Sequence, residues 1–155
     1  MGRAAVHTAM KMGAQVIAGV RAKELDRARS LGVSDMLAID DNEAIEEFRL
    51  VDAIADTVGG DVAAKLIVKI KQSGSFGYTA VLPESAAARN PGVKITRVFA
   101  QPDPSKVREF ADDVRDGKFL LPIGRMPLRN AAEAHVLGEK GGIGKILLLA
   151  LDSCL

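Results

Sequence analysis

Cysteine is almost absent from this chain of 155 residues, and its single copy, Cys154, sits next to the C-terminal residue. One thiol cannot form an internal disulfide or a thiolate-rich metal centre, which excludes the secreted disulfide scaffolds and fits a reducing compartment. Tryptophan is missing, with one tyrosine and five phenylalanines, so stacking platforms for single-stranded nucleic acid are scarce. An excess of one charge is missing too, since 21 Lys and Arg face 20 Asp and Glu and leave a formal net charge of +1. Nothing remains to neutralise phosphates broadly, and no nucleic-acid partner is expected. Long hydrophobic runs are also lacking: the longest, Ile146 to Leu151, falls far short of the roughly 20 residues a membrane-crossing helix needs. His7, Thr8 and Lys11 break up the apolar residues near the N-terminus, so no signal-peptide core forms. No membrane partner and a cytoplasmic location are expected. His7 and His135 are the two histidines, neither in a cluster of partner residues, so the convergent ligands of a zinc site are not available and no metal is expected. A G-x-S-x-G nucleophile elbow is absent as well; Gly74-Ser75 lacks the pattern.

What is present is the balance of a globular domain, 48% hydrophobic and 26% charged. Short β-rich segments alternate with helical ones, the mark of a parallel α/β sheet covered on both faces. Val6, Ala9 and Met10 share a helical face ahead of Gly13, and Gln15 to Val20 reads as a strand. Leu25, Ala28 and Leu31, spaced by three before Gly32, predict a second helix, and Met36 to Ile39 a second strand. Asp40-Asp41-Asn42 offers N-cap oxygens to a short helix over Glu43 to Arg49. Val51 to Ala55 is a strand closed by Asp56-Thr-Val-Gly-Gly60, after which Ala63, Leu66, Ile67 and Ile70 form the buried stripe of a helix. A strand is expected over Gly74 to Leu82, a loop over Pro83 to Gly92 and a strand over Val93 to Phe99. Asp103-Pro104 caps a helix carrying Val107, Phe110, Ala111 and Val114. Phe119 to Leu128 holds two prolines, Ala131 to Leu137 is a small helix, and Gly141-Gly-Ile-Gly144 leads into an apolar strand over Lys145 to Leu151.

Four stretches then carry a resemblance by their order and spacing: Gly2-Arg-Ala-Ala-Val6, Ala28-Arg-Ser-Leu-Gly32, Val51 to Gly60, and Met126-Pro-Leu-Arg-Asn-Ala-Ala-Glu-Ala-His135 followed by Gly144-Lys-Ile-Leu-Leu148. The chain resembles the cofactor-binding half of the medium-chain dehydrogenase/reductase family, in particular its quinone oxidoreductase-like and zinc-type alcohol dehydrogenase-like members. The resemblance implies an α/β, Rossmann-like doubly wound parallel sheet that binds a nicotinamide dinucleotide. It implies a truncated dinucleotide-binding domain over residues 1–118 and an appendage over 119–155 that in the family packs on the catalytic domain. Gly2 matches the last glycine of the family's phosphate-binding turn, so the usual first strand and the earlier glycines are expected to be missing. That strand is a central one, and each unpaired backbone group in a dry interior costs on the order of 1–3 kcal/mol. Another segment or a second chain is therefore expected in its place, with Lys145 to Leu151 the candidate.

The same resemblance assigns site residues. Arg21 and Lys23 follow the strand where such a fold recognises the adenosine ribose, and cations there accommodate the 2′-phosphate of NADP whereas an acid favours NAD. NADP is the expected cofactor, NAD the lesser alternative, and zinc is not expected in this chain. The other reading of Arg21 and Lys23 is a solvated helix turn. Thr57, Val58 and Gly59 lie where open α/β sheets bind ligands and, in the family, along the nicotinamide side; otherwise they form a plain strand-to-helix turn. Tyr78 either flanks the cofactor or packs. Gly2 would meet the pyrophosphate. No catalytic residue is assigned. The function implied is the nucleotide-binding portion of an NADP-dependent oxidoreductase of the quinone or alkenal reductase or alcohol dehydrogenase type, inactive alone, with a small-molecule substrate and as a homo-oligomer. The alternative is a non-catalytic module for oligomerisation or partner binding.

Overall fold

Apolar runs of four to six residues, each followed by a helical stripe, produce a chain of parallel β-α-β steps. The computed structural model describes residues 1–140 and 145–149. The chain divides into two units, Met1–Gln101 and Pro102–Leu155. The first contains α1 (Gly2–Lys11), β1 (Ile17–Val20), α2 (Leu25–Ala28), β2 (Asp35–Ala38), α3 (Asn42–Glu47), β3 (Val51–Asp56), α4 (Gly60–Leu66), β4 (Ile70–Tyr78), α5 (Glu84–Arg89) and β5 (Lys94–Arg97). The second contains α6 (Pro104–Arg115), β6 (Ile123–Pro127), α7 (Ala131–Lys140) and β7 (Lys145–Leu149). Every strand pair is parallel, in the orders β1-β2, β3-β4-β5 and β6-β7. This is the parallel α/β class that the alternation implies, and the Rossmann-like fold that the resemblance implies. Among the described residues no helix is long and apolar enough to cross a membrane.

The first unit has two apolar cores. Ala63, Ile67, Ile70, Phe76 and Val93 make one, with Phe76 and Ile67 fully buried. Leu37, Ile39 and Ile45 make the other, with Val62 and Leu66 packed against it. The segment that opens with α4 therefore contributes to both: Ala63 and Ile67 to the three-stranded sheet, Val62 and Leu66 to the two-stranded one. Residues one position apart on a helix diverge by about 100°, which is what lets one element serve two cores.

Several expectations need correction. Pro83 to Gly92 is not all loop, because Glu84 to Arg89 forms α5 and buries Ala86 completely. Its run of alanines has the highest helix propensity of any residue type. Ile70 does not belong to the helix before it; that helix tightens into a 3-10 turn at Ile67–Lys69, and Ile70 opens β4. Asn90 marks the stop: its buried Nδ2 donates to the carbonyls of Ile67 at 3.1 Å, which also accepts the Ile70 N–H, and of Ile70 at 2.9 Å. β4 also carries a bulge against β3, advancing from Ile70 to Ser75 while β3 advances from Val51 to Ala53. Ser73 takes φ 64° there, and a Cβ at Gly74 would lie 2.6 Å from the Asp52 carbonyl oxygen, so glycine is required. In the second unit the proline-bearing stretch contains β6, with Pro127 at the strand end where a missing donor is tolerated. Lys145 to Leu149 pairs with β6 in parallel and with no other described strand. Among the described residues it forms no ladder with β1 or β3, the pairing that was expected of it. Its own neighbour supplies the parallel edge it needs, while β1 keeps one free edge and β3 another among the described residues. The remainder of that expected segment and Gly141 to Gly144 lie outside the described residues.

Two predictions follow from these caps. Asn90→Ala removes both donors from two buried carbonyls and is expected to lower stability by about 1–3 kcal/mol in urea titration, whereas an unchanged midpoint would contradict the assignment. At α6, the Ser105 hydroxyl at 2.6 Å, with the N–H groups of Lys106 and Ser105, holds the Asp103 carboxyl below its ordinary value. A depressed folded-state pKa means that the cap stabilises the helix above the unfolded pKa and is lost as pH falls through the folded one. Carboxyl NMR is expected to show Asp103 titrating below the free aspartates, and rising towards them in Ser105→Ala.

Candidate functional site

Parallel strands in an α/β unit deliver their following loops to one edge, so the ends of β1, β3 and β4 define where a ligand meets backbone groups. β1 ends at Val20 and delivers Arg21 and Lys23, both exposed. Between them the Ala22 N–H donates to Asp40 Oδ1 at 2.7 Å, so the turn is fixed by a carboxylate two residues past the end of β2. Asp40 was not singled out from the sequence, where it reads as one of three N-cap oxygens. The structure divides that group: Asp41 caps α3 through Glu43 and Ala44 N–H, and Asp40 reaches back across β1.

β3 ends at Asp56, which is buried. Its Oδ1 accepts from Val58 N–H at 3.1 Å, and Oδ2 accepts from Gly59 N–H at 3.0 Å. Gly60 N–H donates to the Val81 carbonyl at 2.8 Å, and Thr79 N–H donates to the Asp56 carbonyl at 3.1 Å. The loop that follows β3 is thus tied to the segment that follows β4. Gly59 stands at φ 77°, and a Cβ on it would lie 2.6 Å from the Val81 oxygen and 2.8 Å from Ala80 Cβ. A left-handed residue in that space has to be glycine.

Of the residues expected at the site, Gly2 and Thr57 are brought together: a Cβ built on Gly2 would lie 3.5 Å from Thr57 Oγ1. Thr57, Val58 and Gly59 form one continuous loop, with Val58 exposed. Tyr78 pairs in register with Asp56 at the end of β4. Its ring lies 6.3 Å from that of Phe76 and packs against the larger core. Arg21 and Lys23 form a second group on the turn that Asp40 holds. Asp56 was missed as a site residue because a lone acid at a strand end carries no signal until its loop is folded round it. A cavity of about 490 Å³ lies along the outer edge of β2, lined by Leu25, Met36, Ala44 and Phe48 among others, and contains none of these residues.

Among the described residues no three His, Cys, Asp or Glu side chains converge, so these residues do not supply a zinc ligand set and no chemistry is routed through that metal. They do suit a dinucleotide, with a cationic turn at one strand end and a rigid loop beside the first residue of a ten-residue helix at another.

Gly59→Ala is expected to cost about 1–3 kcal/mol, because the new Cβ must displace the loop or hold a disfavoured φ. Chemical denaturation measures it, and a neutral result would refute the left-handed geometry.

Residues 31–148 match the family described as zinc-binding dehydrogenase. The polyketide synthase GfsB of Streptomyces halstedii is 32% identical over 162 residues, which take in 96% of this chain and 3% of that protein. The quinone oxidoreductase of Coxiella burnetii superposes with a TM-score of 0.75 at 24% identity, over 93% of this chain and 47% of that one. The CurK enoyl reductase superposes with a TM-score of 0.75 at 19% identity, over 95% of this chain and 50% of that one. The chain thus spans about half the length of these two solved structures. With the family match covering most of its length, this chain belongs to the zinc-binding dehydrogenase family.

Proposed function

We propose that the chain holds NADPH across the ends of β1, β3 and β4, and that it forms the nucleotide-binding part of a reductase acting on an activated alkene of the enoyl type. The observation that carries the choice of NADPH is the turn after β1. Arg21 and Lys23 offer two exposed cations to a 2′-phosphate. Two carboxylates stand at this turn: Asp40 accepts the Ala22 N–H, and Glu24 pairs with Arg27 at 3.4 Å, so both are engaged within the protein. In this reading Gly2 approaches the pyrophosphate, while Thr57, Val58, Gly59 and Tyr78 lie on the nicotinamide side.

Bound dihydronicotinamide supplies a hydride equivalent. The chain's own residues bind it, orient it and keep one face of it against the loop after β3. The enoyl class is favoured over an alcohol or a quinone by the 32% identity to a polyketide synthase. A wall for the reacting carbon is not among the residues gathered here, so the chain alone is expected to bind nucleotide without turning over substrate. The free edges of β1 and β3 favour a second reading beside this one, a module whose sheet is completed by another polypeptide, in a homo-oligomer or with a partner.

Calorimetric titration of the chain is expected to show NADPH binding about tenfold tighter than NADH, and Arg21→Ala abolishing most of that difference. Equal affinities, or a preference indifferent to Arg21, would refute the assignment.

A further inference from the structure

Asp56 is a carboxylate at 7% exposure that makes no ion pair among the described residues and takes no part in the cation turn after β1. Burying a charged group is costly unless hydrogen bonds replace its water. Here the replacement comes wholly from the loop it precedes: Val58 N–H and Gly59 N–H both point back at its oxygens. Those two donors are consequently engaged within the protein. The loop exposes Val58, while the half-exposed Thr57 turns its hydroxyl towards Gly2.

The loop is fixed on its other side as well, by Gly60 N–H on the Val81 carbonyl. Thr57 sits between these two ties, and its Oγ1 lies at the first residue of α1. The Asp56 carboxylate thus holds, from one side, the loop that lies beside the start of α1. The turn carrying Arg21 and Lys23 has a separate tie, from Ala22 N–H to Asp40. Among the described residues Asp56 makes no hydrogen bond to that turn, so the two halves of the site are held by different carboxylates.

We propose that Asp56 is a positioning residue for the nicotinamide half of the dinucleotide, acting through the backbone of Thr57 to Gly60 without touching the ligand. The inference rests on the NADPH reading above and adds to it a residue and a division of labour. Loss of the carboxylate lets the loop relax and weakens contact with the nicotinamide half, while the adenosine half, held at Arg21 and Lys23, keeps its affinity.

The test compares NADPH with 2′,5′-ADP, which carries the adenosine half and its phosphate but no nicotinamide. Asp56→Ala is expected to weaken NADPH about tenfold or more and to leave 2′,5′-ADP within about twofold. Asp56→Asn, whose amide oxygen still accepts both N–H groups, is expected to restore NADPH binding to within about threefold of the parent. A merely structural role would lower both ligands together, or would resist rescue by asparagine, and either result overturns the proposal. So does unchanged NADPH affinity in Asp56→Ala. Should Asp56→Ala fail to fold, Gly59→Ala displaces the same loop, and the same split between ligands is expected; equal losses there count against the proposal. A parent chain that binds 2′,5′-ADP as tightly as NADPH overturns this proposal alone, whereas one that binds neither overturns the cofactor reading beneath it.

Discussion

The first unit depends on one helix packing in two directions. Its two sheets share no hydrogen bond among the described residues, yet both lie against the segment that opens with α4. Ala63 and Ile67 are buried to 0% exposure on one side, and Val62 and Leu66 close the smaller core on the other. Backbone ladders normally tie neighbouring parallel strands; here side-chain packing does that work across the division between β1 and β3. The consequence for function is that α4 is packed from two sides, directly after the loop that leads into it. That loop is the one carrying Thr57, Val58 and Gly59.

Rigidity at the ligand edge has a common device. At the end of β3 an aspartate turns its carboxylate onto backbone N–H groups, and so does the aspartate that follows β2. Asp40 fixes a turn that comes eighteen residues earlier, and Asp56 fixes its own loop. Carboxylates bonded to N–H groups form some of the stronger hydrogen bonds available to a protein. Placed at strand ends they leave the neighbouring cations and hydroxyls, Arg21, Lys23 and Thr57, free of structural duty.

Much of this was legible in the residue order. Alternating apolar runs and helical stripes gave the α/β class; the cap at Asp103 was visible as a single acid before a helix, and that at Asp41 as one of three candidate residues. Long-range partners were not. Nothing in the local pattern around Ile70 shows that Asn90, twenty residues on, marks the end of the preceding helix. Nor does the strand character of Lys145 to Leu149 say which edge it will take, because a two-sided apolar strand suits any parallel neighbour. Of the site residues named from resemblance, Arg21 and Lys23 fall on one strand-end turn and Thr57, Val58 and Gly59 on another, while Gly2 opens α1 and Tyr78 ends β4. The acids that hold those turns were invisible for the same reason that Asn90 was: their partners are backbone groups, which every residue possesses.

The edges of the sheets differ in a way that bears on what the molecule is built to meet. β2 ends its sheet with Asp35, whose carboxylate accepts the Met36 N–H at 2.8 Å and pairs with Arg49 at 3.0 Å, so a donor is already satisfied there. β5 ends the other sheet with Lys94 and Arg97, both exposed. Charges of this kind are how natural proteins keep terminal strands from pairing with strangers. β1, running Ile17-Ala-Gly-Val20, carries no charge, and β3 places exposed Ala53 and Ala55 where such a guard would stand. Asp52 of β3 is engaged with Lys71 of β4, on the side that is already paired. Two strands are thus guarded as outer edges and two are composed as interior ones. An interior strand without a neighbour on one side is suited to receive one, and the uncharged composition of β1 is what a parallel strand buried on both sides requires.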